Sequence, residues 1–206
     1  MISKNQLKYV RQLEQKKYRK REGLFVAEGV KVVNDLLLRY QPKMLFATHE
    51  YLETHPLHNA TFETIEVSPD ELTRLSFQQH PQQVLALFPI PTINYNLSSI
   101  NNNLSLALDG VQDPGNLGTI IRIADWFGIE NIYCSEDTVD AWNPKVVQAT
   151  MGSISRVNFI YIDLPQMLDN LPPDFPVYGT FLDGKNIYEE SLSQEGLVIM
   201  GNEGLE

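Results

Sequence analysis

Residues 104–128 predict a strand, a tight turn and a helix in direct succession, and this segment constrains the fold more than any other part of the chain. The apolar run at its start indicates a buried strand, a turn is expected from Asp113 to Asn116, and a helix over 117–127. Asn116 and Arg122 are six residues apart, so we expect both side chains near the N-terminal end of that helix. Because a helix N-terminus attracts anions and a guanidinium matches phosphate oxygens, the segment predicts a phosphate-facing site at a strand end.

The second half of the chain continues this alternation of strands and helices. Strands separated by helices predict a parallel sheet, whose ligands bind at the carboxyl ends of the strands. Two more loops are expected at such ends, at 180–184 and at 201–204, and the second carries two glycines and a carboxylate. Taken alone, that second loop also fits a plain turn. The expected strands are 104–108, 131–134, 157–162, 177–182 and 197–201, with helices at 117–127, 145–151 and 165–170.

The first half predicts a small α/β domain of its own. Ser3 is expected to cap a helix over 3–20, and Ser68 followed by Pro69 is expected to begin another. Residues 89–103 are rich in Pro, Asn and Ser and predict a linker, so we place the boundary near residue 95 and expect domains at 1–95 and 96–206. The expected strands are 24–27, 44–48, 62–67 and 84–88, with a further helix at 30–38.

The charge of the chain is unevenly distributed. Its formal net charge is −10, but residues 1–22 hold eight Lys and Arg against two Glu, a net of +6, which leaves −16 for the rest. A basic segment on an acidic body suggests contact with a polyanion. The simpler interpretation is a solvated helix face, and the charge pattern alone does not separate the two.

Several common sites are missing from the sequence, namely a dinucleotide fingerprint, a P-loop, a Cys-x-x-Cys pair and a Gly-x-Ser-x-Gly elbow. His55 and His58 flank Pro56 in a loop-like stretch, so we expect no metal site. The single Cys134 is expected to be a core thiol of a protein in a reducing cytoplasm. No apolar run approaches the roughly 18 residues of a membrane helix, and the polar, basic N-terminus does not resemble a secretory signal.

Residues 108–125 (LDGVQDPGNLGTIIRIAD) and 197–204 (LVIMGNEG) are two long motifs, each at the end of an expected strand. They resemble the first and the second motif of the SpoU-type 2′-O-ribose RNA methyltransferases of the SPOUT superfamily, also called TrmH-like. Residues 143–153 (NPKVVQATMGS) match the segment between them. Residues 25–33 (FVAEGVKVV) and 80–88 (HPQQVLALF) resemble the L30e-like substrate-binding domain of the same family.

The resemblance implies a fold and a reaction. It implies an α/β protein with a small L30e-like domain followed by a parallel-sheet SPOUT domain, whose trefoil knot holds the cofactor. It implies transfer of a methyl group from S-adenosylmethionine to a ribose 2′-hydroxyl in rRNA or tRNA, without a metal and in a homodimer. The chain ends before the family's third motif, so we expect a truncated chain whose native residues end at Gly204, with an incomplete knot. We also expect this 206-residue chain to bind the cofactor poorly and to be inactive by itself.

The resemblance also implies roles for individual residues. Arg122 corresponds to the catalytic arginine, Asn116 to the residue that positions the substrate and that arginine, and Glu203 to the acid of the second motif. Because arginine stays protonated, we expect Arg122 to anchor a phosphate and stabilise charge rather than act as a strict base. The residues implied at the cofactor are Gly201, Asn202, Gly204, Thr180 and Leu182. The basic residues expected to contact RNA are Lys16, Lys17, Arg19, Lys20 and Arg21.

Two alternatives stay open on the sequence. The first is a catalytically silent RNA-binding homologue that acts through the L30e-like domain. The second is an unrelated α/β enzyme that binds a small phosphorylated ligand at the helix end between Asn116 and Arg122. RNA binding that weakens with salt would count against the second.

Overall fold

The chain separates into two compact units, each with its own sheet. The computed structural model describes residues 2–57, 61–93, 100, 103–181 and 183–202. The first unit comprises Met1–Pro91 and Asp140–Ser155, and the second comprises Thr92–Val139 and Arg156–Glu206. The predicted boundary near residue 95 lies outside the described residues and stays a prediction. No pattern in the sequence indicated that 140–155 belongs with the first unit.

The first unit is built on a mixed four-stranded sheet in the order β1-β4-β2-β3. Strand β4 is antiparallel to both β1 and β2, whereas β2 and β3 are parallel. The described strands and helices of residues 1–91 are β1 (Leu24–Glu28), β2 (Met44–Ala47), β3 (Glu63–Glu66), β4 (Val84–Pro89), α1 (Lys4–Gln12), α2 (Lys16–Glu22), α3 (Val30–Leu37), α4 (His49–Thr54) and α5 (Pro69–Leu75).

The helix predicted over 3–20 is wrong in one respect, because the structure has two helices with a break at 13–15. Ser3 caps α1 with a capping box, as expected. At the break, the Arg19 Nη1 atom donates to the carbonyl oxygens of Leu13 and Glu14 at 2.8 and 2.6 Å. Those oxygens therefore accept from a side chain instead of from backbone amides of a continuing helix, and α2 begins as a separate helix. Helix α2 ends at Gly23, whose φ of 64° is left-handed.

Helix α4 was not predicted. It has six residues and begins after Thr48, whose hydroxyl accepts from the Tyr51 amide at 3.4 Å. Of its side chains only Tyr51 is buried. A helix this short does not repeat its apolar face, so hydrophobic periodicity carries no signal for it.

The segment 140–155 packs on β1 within the first unit. Its helix α7 (Pro144–Ala149) is capped by Asn143, and a short 3-10 turn (Ser153–Ser155) follows. The ring of Trp142 lies 4.6 Å from that of Phe25, centroid to centroid. Aromatic contact at this distance buries a large apolar surface, which explains why the segment groups with the first unit.

The second unit confirms the predicted parallel sheet, with five strands in the order β7-β6-β5-β9-β8. Every pair in it is parallel. No helix within the described ranges is both long and apolar enough to span a membrane. The described strands and helices of the second unit are β5 (Leu104–Leu108), β6 (Asn131–Cys134), β7 (Asn158–Tyr161), β8 (Val177–Gly179), β9 (Gly196–Met200), α6 (Pro114–Trp126), α8 (Leu164–Asp169) and a 3-10 turn (Ile187–Glu189).

Candidate functional site

Helix α6 begins three residues earlier than the sequence predicted. Asp113 is its N-cap, with Oδ1 accepting from the Asn116 amide at 2.8 Å, and Pro114 is the first helical residue. An aspartate cap followed by proline is a strong helix start, and it outweighs the turn preference of Gly115 and Asn116. Asn116 therefore lies in the first turn of the helix, where the sequence predicted the end of a turn.

The early helix start corrects the expected place of Arg122. It lies eight residues after Pro114, about 12 Å along the helix axis, and so does not belong to the N-terminal end of α6. Its side chain is exposed, and no hydrogen bond or ion pair to it is found among the described residues. Arg122 shares its helix face with Trp126, one turn further on, whose side chain is 85% exposed.

A pocket of about 480 Å³ lies at the carboxyl ends of the adjacent strands β5 and β9. Leu108 at the end of β5 is paired with Met200 at the end of β9, so the loops after both strands meet at this edge. The pocket is walled by the loop after β5, by α6 and by the loop after β9, including Val111, Asp113, Asn116, Ile120, Gly201 and Asn202. Of the predicted site residues, Asn116, Gly201 and Asn202 thus come together.

Among the remaining predicted cofactor residues, Thr180 is described and does not line this pocket. Thr180 follows β8, where its hydroxyl donates to the carbonyl oxygen of Ile199 at 3.2 Å. The register of β8 and β9 pairs Gly179 with Ile199, so Thr180 follows β8 at the level of Met200, the last residue of β9. Leu182, Glu203 and Gly204 lie outside the described residues, so their assigned roles stay predictions.

The sequence analysis missed a group of side chains that supports the loop after β5. Ser135 follows β6 directly, and its Oγ accepts from the buried Gly110 amide at 2.9 Å. Ser135 in turn donates to Asp137 Oδ1 at 2.5 Å, and Thr138 Oγ1 donates to the Leu108 carbonyl at 3.0 Å. In the sequence, these three residues are marked only by their position directly after an expected strand of the parallel sheet.

The basic N-terminal segment divides into exposed and buried cations. Lys17 and Arg21 are exposed, and each cation lies over the ring of Tyr18, at 4.9 and 4.8 Å from its centroid. Lys16 and Lys20 are exposed as well. Arg19 does not fit the expected contact with RNA: it is 2% exposed and pairs with Asp140 at 2.5 Å. The charge of Arg19 is neutralised by Asp140 within the first unit.

A larger cavity of about 770 Å³ in the first unit is negatively charged, since Glu50, Glu53, Glu66 and Glu71 line it. An acidic lining repels phosphate, so this cavity does not suit an RNA backbone. His49 lies between Glu53 and Glu66, 3.2 Å from each. Within the described ranges, no cluster of three or more His, Cys, Asp or Glu is placed to hold a metal ion.

Comparison with known sequences gives two matches that follow the two halves of the chain. The family model of the SpoU rRNA methylases matches residues 103–205, and an MRM3-like substrate-binding domain matches residues 4–86. The 23S rRNA (guanosine(2553)-2′-O)-methyltransferase RlmP of Bacillus subtilis is 31% identical over 98% of this chain and 81% of its own length. Human mitochondrial rRNA methyltransferase 3 is 32% identical over 78% of this chain, which spans 40% of that protein.

Solved structures agree with these matches. A TrmH-family RNA methyltransferase from Porphyromonas gingivalis is 38% identical, with a TM-score of 0.86 over 99% of this chain and 82% of its own. An rRNA methyltransferase from Sinorhizobium meliloti with bound AdoMet is 29% identical, with a TM-score of 0.81 over 99% of this chain and 80% of its own. On its sequence motifs, its parallel sheet and these likenesses, the chain belongs to the SpoU rRNA methylase family.

Proposed function

We propose that this protein transfers the methyl group of S-adenosylmethionine to a ribose 2′-hydroxyl in rRNA. The observation that carries the proposal is the pocket at the ends of β5 and β9, which places Asn116 of the first family motif against Gly201 and Asn202 of the second. The names of the relatives support the reaction, because RlmP of Bacillus subtilis is a 2′-O-methyltransferase of 23S rRNA. The AdoMet-bound structure from Sinorhizobium meliloti supports the cofactor.

The described residues fit a nucleoside cofactor at this edge of the sheet. A volume of about 480 Å³ lies within the usual range for small-molecule sites. Gly201 faces open space where a Cβ would stand, so a ligand can approach its backbone closely. When bound, S-adenosylmethionine supplies an electrophilic methyl group on a sulfonium. Gly201, Asn202 and Thr180, with Leu182 and Gly204, are the residues we propose for holding it.

Catalysis in this proposal depends mainly on placing the reacting groups. A ribose hydroxyl is a weak nucleophile, so holding it in line with the methyl group contributes much of the rate. Asn116 has an amide that can both donate to and accept from a ribose hydroxyl. Arg122 is proposed to bind the phosphate next to the target ribose, because a guanidinium forms paired hydrogen bonds to phosphate oxygens. Glu203 is proposed to support Asn116.

The proposal extends to RNA contact and to assembly. Lys16, Lys17, Lys20 and Arg21 are proposed to bind RNA phosphates, whereas Arg19 is not. The exposed apolar side chains of Ile123, Trp126 and Phe127 lie together at the end of α6. Exposed apolar patches mark contact surfaces, and we propose that a second copy of the chain covers this one, in a homodimer that acts in the cytoplasm.

The test is methyl transfer by the full-length protein to ribosomal RNA, with the product ribose identified by mass spectrometry. Arg122→Ala is expected to lower kcat/KM by about 10²-fold or more, because it removes the guanidinium proposed to hold the phosphate beside the target ribose and so to align the hydroxyl. Arg122→Lys should recover part of that loss, and Lys185→Ala, on an exposed loop, should change nothing. Wild-type protein that binds RNA and S-adenosylmethionine without turnover would instead support the silent homologue.

A further inference from the structure

The loop 109–113, which forms one wall of the pocket, is hydrogen-bonded on both sides to neighbouring strands or the loops that follow them. On the β9 side, the Asp109 amide donates to the carbonyl oxygen of Met200 at 2.9 Å. On the β6 side, the Gly110 amide donates to Ser135 Oγ at 2.9 Å. On the same side, the Val139 amide donates to the Val111 carbonyl at 2.9 Å, so backbone bonds hold the loop on both flanks. The bond from Gly110 to Ser135 is made to a side chain, so substitution can change it.

The hydroxyl of Ser135 both accepts and donates a hydrogen bond. It accepts from Gly110 and donates its proton to Asp137 Oδ1 at 2.5 Å. Thr138 Oγ1 also lies 3.0 Å from the Ser135 oxygen, but a carboxylate is the stronger acceptor and the Asp137 contact is the shorter one. Asp137 therefore orients the hydroxyl, so that a lone pair of its oxygen faces the Gly110 amide. Ser135 and Gly110 are both buried. If the hydroxyl turned away, the Gly110 amide would be left without an acceptor, which is costly in a buried place.

Gly110 has little room to move. Its φ of 70° lies in the left-handed region, and an added Cβ would stand 3.3 Å from Asp137 Oδ2 and 3.6 Å from the Cβ of Asn202. The glycine thus lies between the carboxylate of Asp137 and a wall of the pocket. Thr138 holds the residue before the loop, since its buried hydroxyl donates to the Leu108 carbonyl at 3.0 Å.

We propose that Asp137 is a positioning residue for methyl transfer: acting through Ser135, it holds the loop 109–113 and with it Asn116. This inference rests on the proposed function above. Asp113 ends that loop and caps α6 at the Asn116 amide, so a shift of Gly110 is passed along three residues to the pocket. Asp137 itself does not contact the reacting groups, and its effect is on their alignment.

The experiment compares Asp137→Ala, Asp137→Asn and a matched control, Glu136→Ala, in the full-length protein. Glu136 is the adjacent exposed carboxylate of the same loop, and it makes no hydrogen bond to the described residues. Asp137→Ala should lower kcat by roughly 10- to 100-fold while KM for RNA stays within about twofold. Asp137→Asn should recover most of kcat, because its amide oxygen still accepts from Ser135. Thermal unfolding of each variant verifies that it is folded.

A second measurement does not depend on turnover. Hydrogen exchange of the Gly110 amide should be faster in Asp137→Ala than in wild type, and unchanged in Glu136→Ala. If Asp137→Ala matches Glu136→Ala in both kcat and exchange, the positioning role is wrong. If wild type transfers no methyl group, the proposed function fails, and the exchange rates alone then decide whether Asp137 holds the loop.

Discussion

Arg19 and Asp140 form an ion pair across 121 residues of sequence, with the Nη2 and Nε atoms of the arginine 2.5 and 3.0 Å from one carboxylate oxygen. Both residues belong to the first unit, where the pair attaches the segment 140–155 to the N-terminal helices. The same guanidinium bonds two carbonyl oxygens at the break between α1 and α2. One side chain therefore fixes both the helix break and the attachment of a distant segment.

Arg19→Ala is expected to destabilise the protein by about 3–5 kcal/mol, because it leaves a carboxylate and two carbonyl groups without their partner. Lys20→Ala is the matched control on the same helix. Its side chain is exposed, so the free energy of unfolding should change by no more than about 0.5 kcal/mol. Urea unfolding measures both values, and equal losses in the two variants would contradict the structural role of Arg19.

The exposed cations of α2 are expected to set the salt dependence of RNA binding. Removing one cation that binds a phosphate lowers the slope of log K against log salt by about 0.7–0.9. The double variant Lys17→Gln with Arg21→Gln should therefore lower the slope by about 1.4–1.8. Binding is measured by fluorescence anisotropy with an rRNA fragment, over a salt series from about 50 to about 200 mM KCl.

Lys185→Gln is the control for this measurement, because Lys185 is an exposed cation of the second unit that pairs with Glu190 at 3.4 Å. Its slope should match that of wild type. If the α2 double variant also keeps the wild-type slope, the basic segment is a solvated helix face, which is the simpler interpretation of its charge pattern.

Glu71 is expected to make the first unit less stable as the pH falls into the acid range. Its carboxylate accepts from the backbone amides of Ser68 at 3.1 Å and Ile2 at 2.7 Å, and these bonds lower its pKa from the ordinary 4.5. A lowered folded-state pKa contributes stability that is present above the unfolded value and lost as pH falls through the folded one. The free energy of unfolding of wild type should exceed that of Glu71→Gln by a constant amount near pH 7, and this difference should shrink below pH 4.5.

Urea unfolding from neutral to acid pH, down to about pH 3, gives this profile. Glu63→Gln, an exposed carboxylate on β3 without a hydrogen bond to the described residues, is the control and should show no such trend. A wild-type advantage over Glu71→Gln that is independent of pH would mean that the carboxylate acts through its shape and not through its charge.

The sequence predicted the sheet that builds the pocket better than the side chains around it. Alternating strands and helices favour a parallel sheet, and parallel strands bring their carboxyl-end loops together, so Asn116 and Gly201 could be placed at one edge. Arg122 was misplaced because the start of α6 depends on whether Asp113 caps a helix or opens a turn, and its residues fit both. The structure resolves this through the bond from Asn116 to Asp113.

The burial of Arg19 and the support from Asp137 could not be predicted, for a different reason. A count of charges along a segment does not say which face of a helix each side chain takes. The partner of Arg19 is 121 residues away, and that of Ser135 includes a backbone amide in another loop. Such contacts follow from the packing of helices and strands, which no local pattern encodes.

Cys134 is expected to be unreactive in the folded protein. It is buried on β6, and burial raises the pKa of its thiol to about 12. Since the thiolate is the nucleophile, only about 10⁻⁴ of the thiol is ionised at about pH 8. Iodoacetamide should label the native protein far more slowly than protein unfolded in guanidinium chloride. Labelling at equal rates would mean that β6 opens readily, contrary to its place inside the sheet.

Trp126→Asp tests whether the exposed end of α6 is covered by a second copy of the chain. A carboxylate at the centre of a buried apolar contact would have to lose its hydration, so we expect the dissociation constant of the dimer to rise by at least about 100-fold. Tyr188→Asp is the control, since Tyr188 is an aromatic side chain of the same unit that is 94% exposed. Sedimentation equilibrium of the full-length protein gives the dissociation constants. Wild type that is monomeric at micromolar concentration, or a Tyr188 variant that dissociates as Trp126→Asp does, would show that this helix face is not the contact.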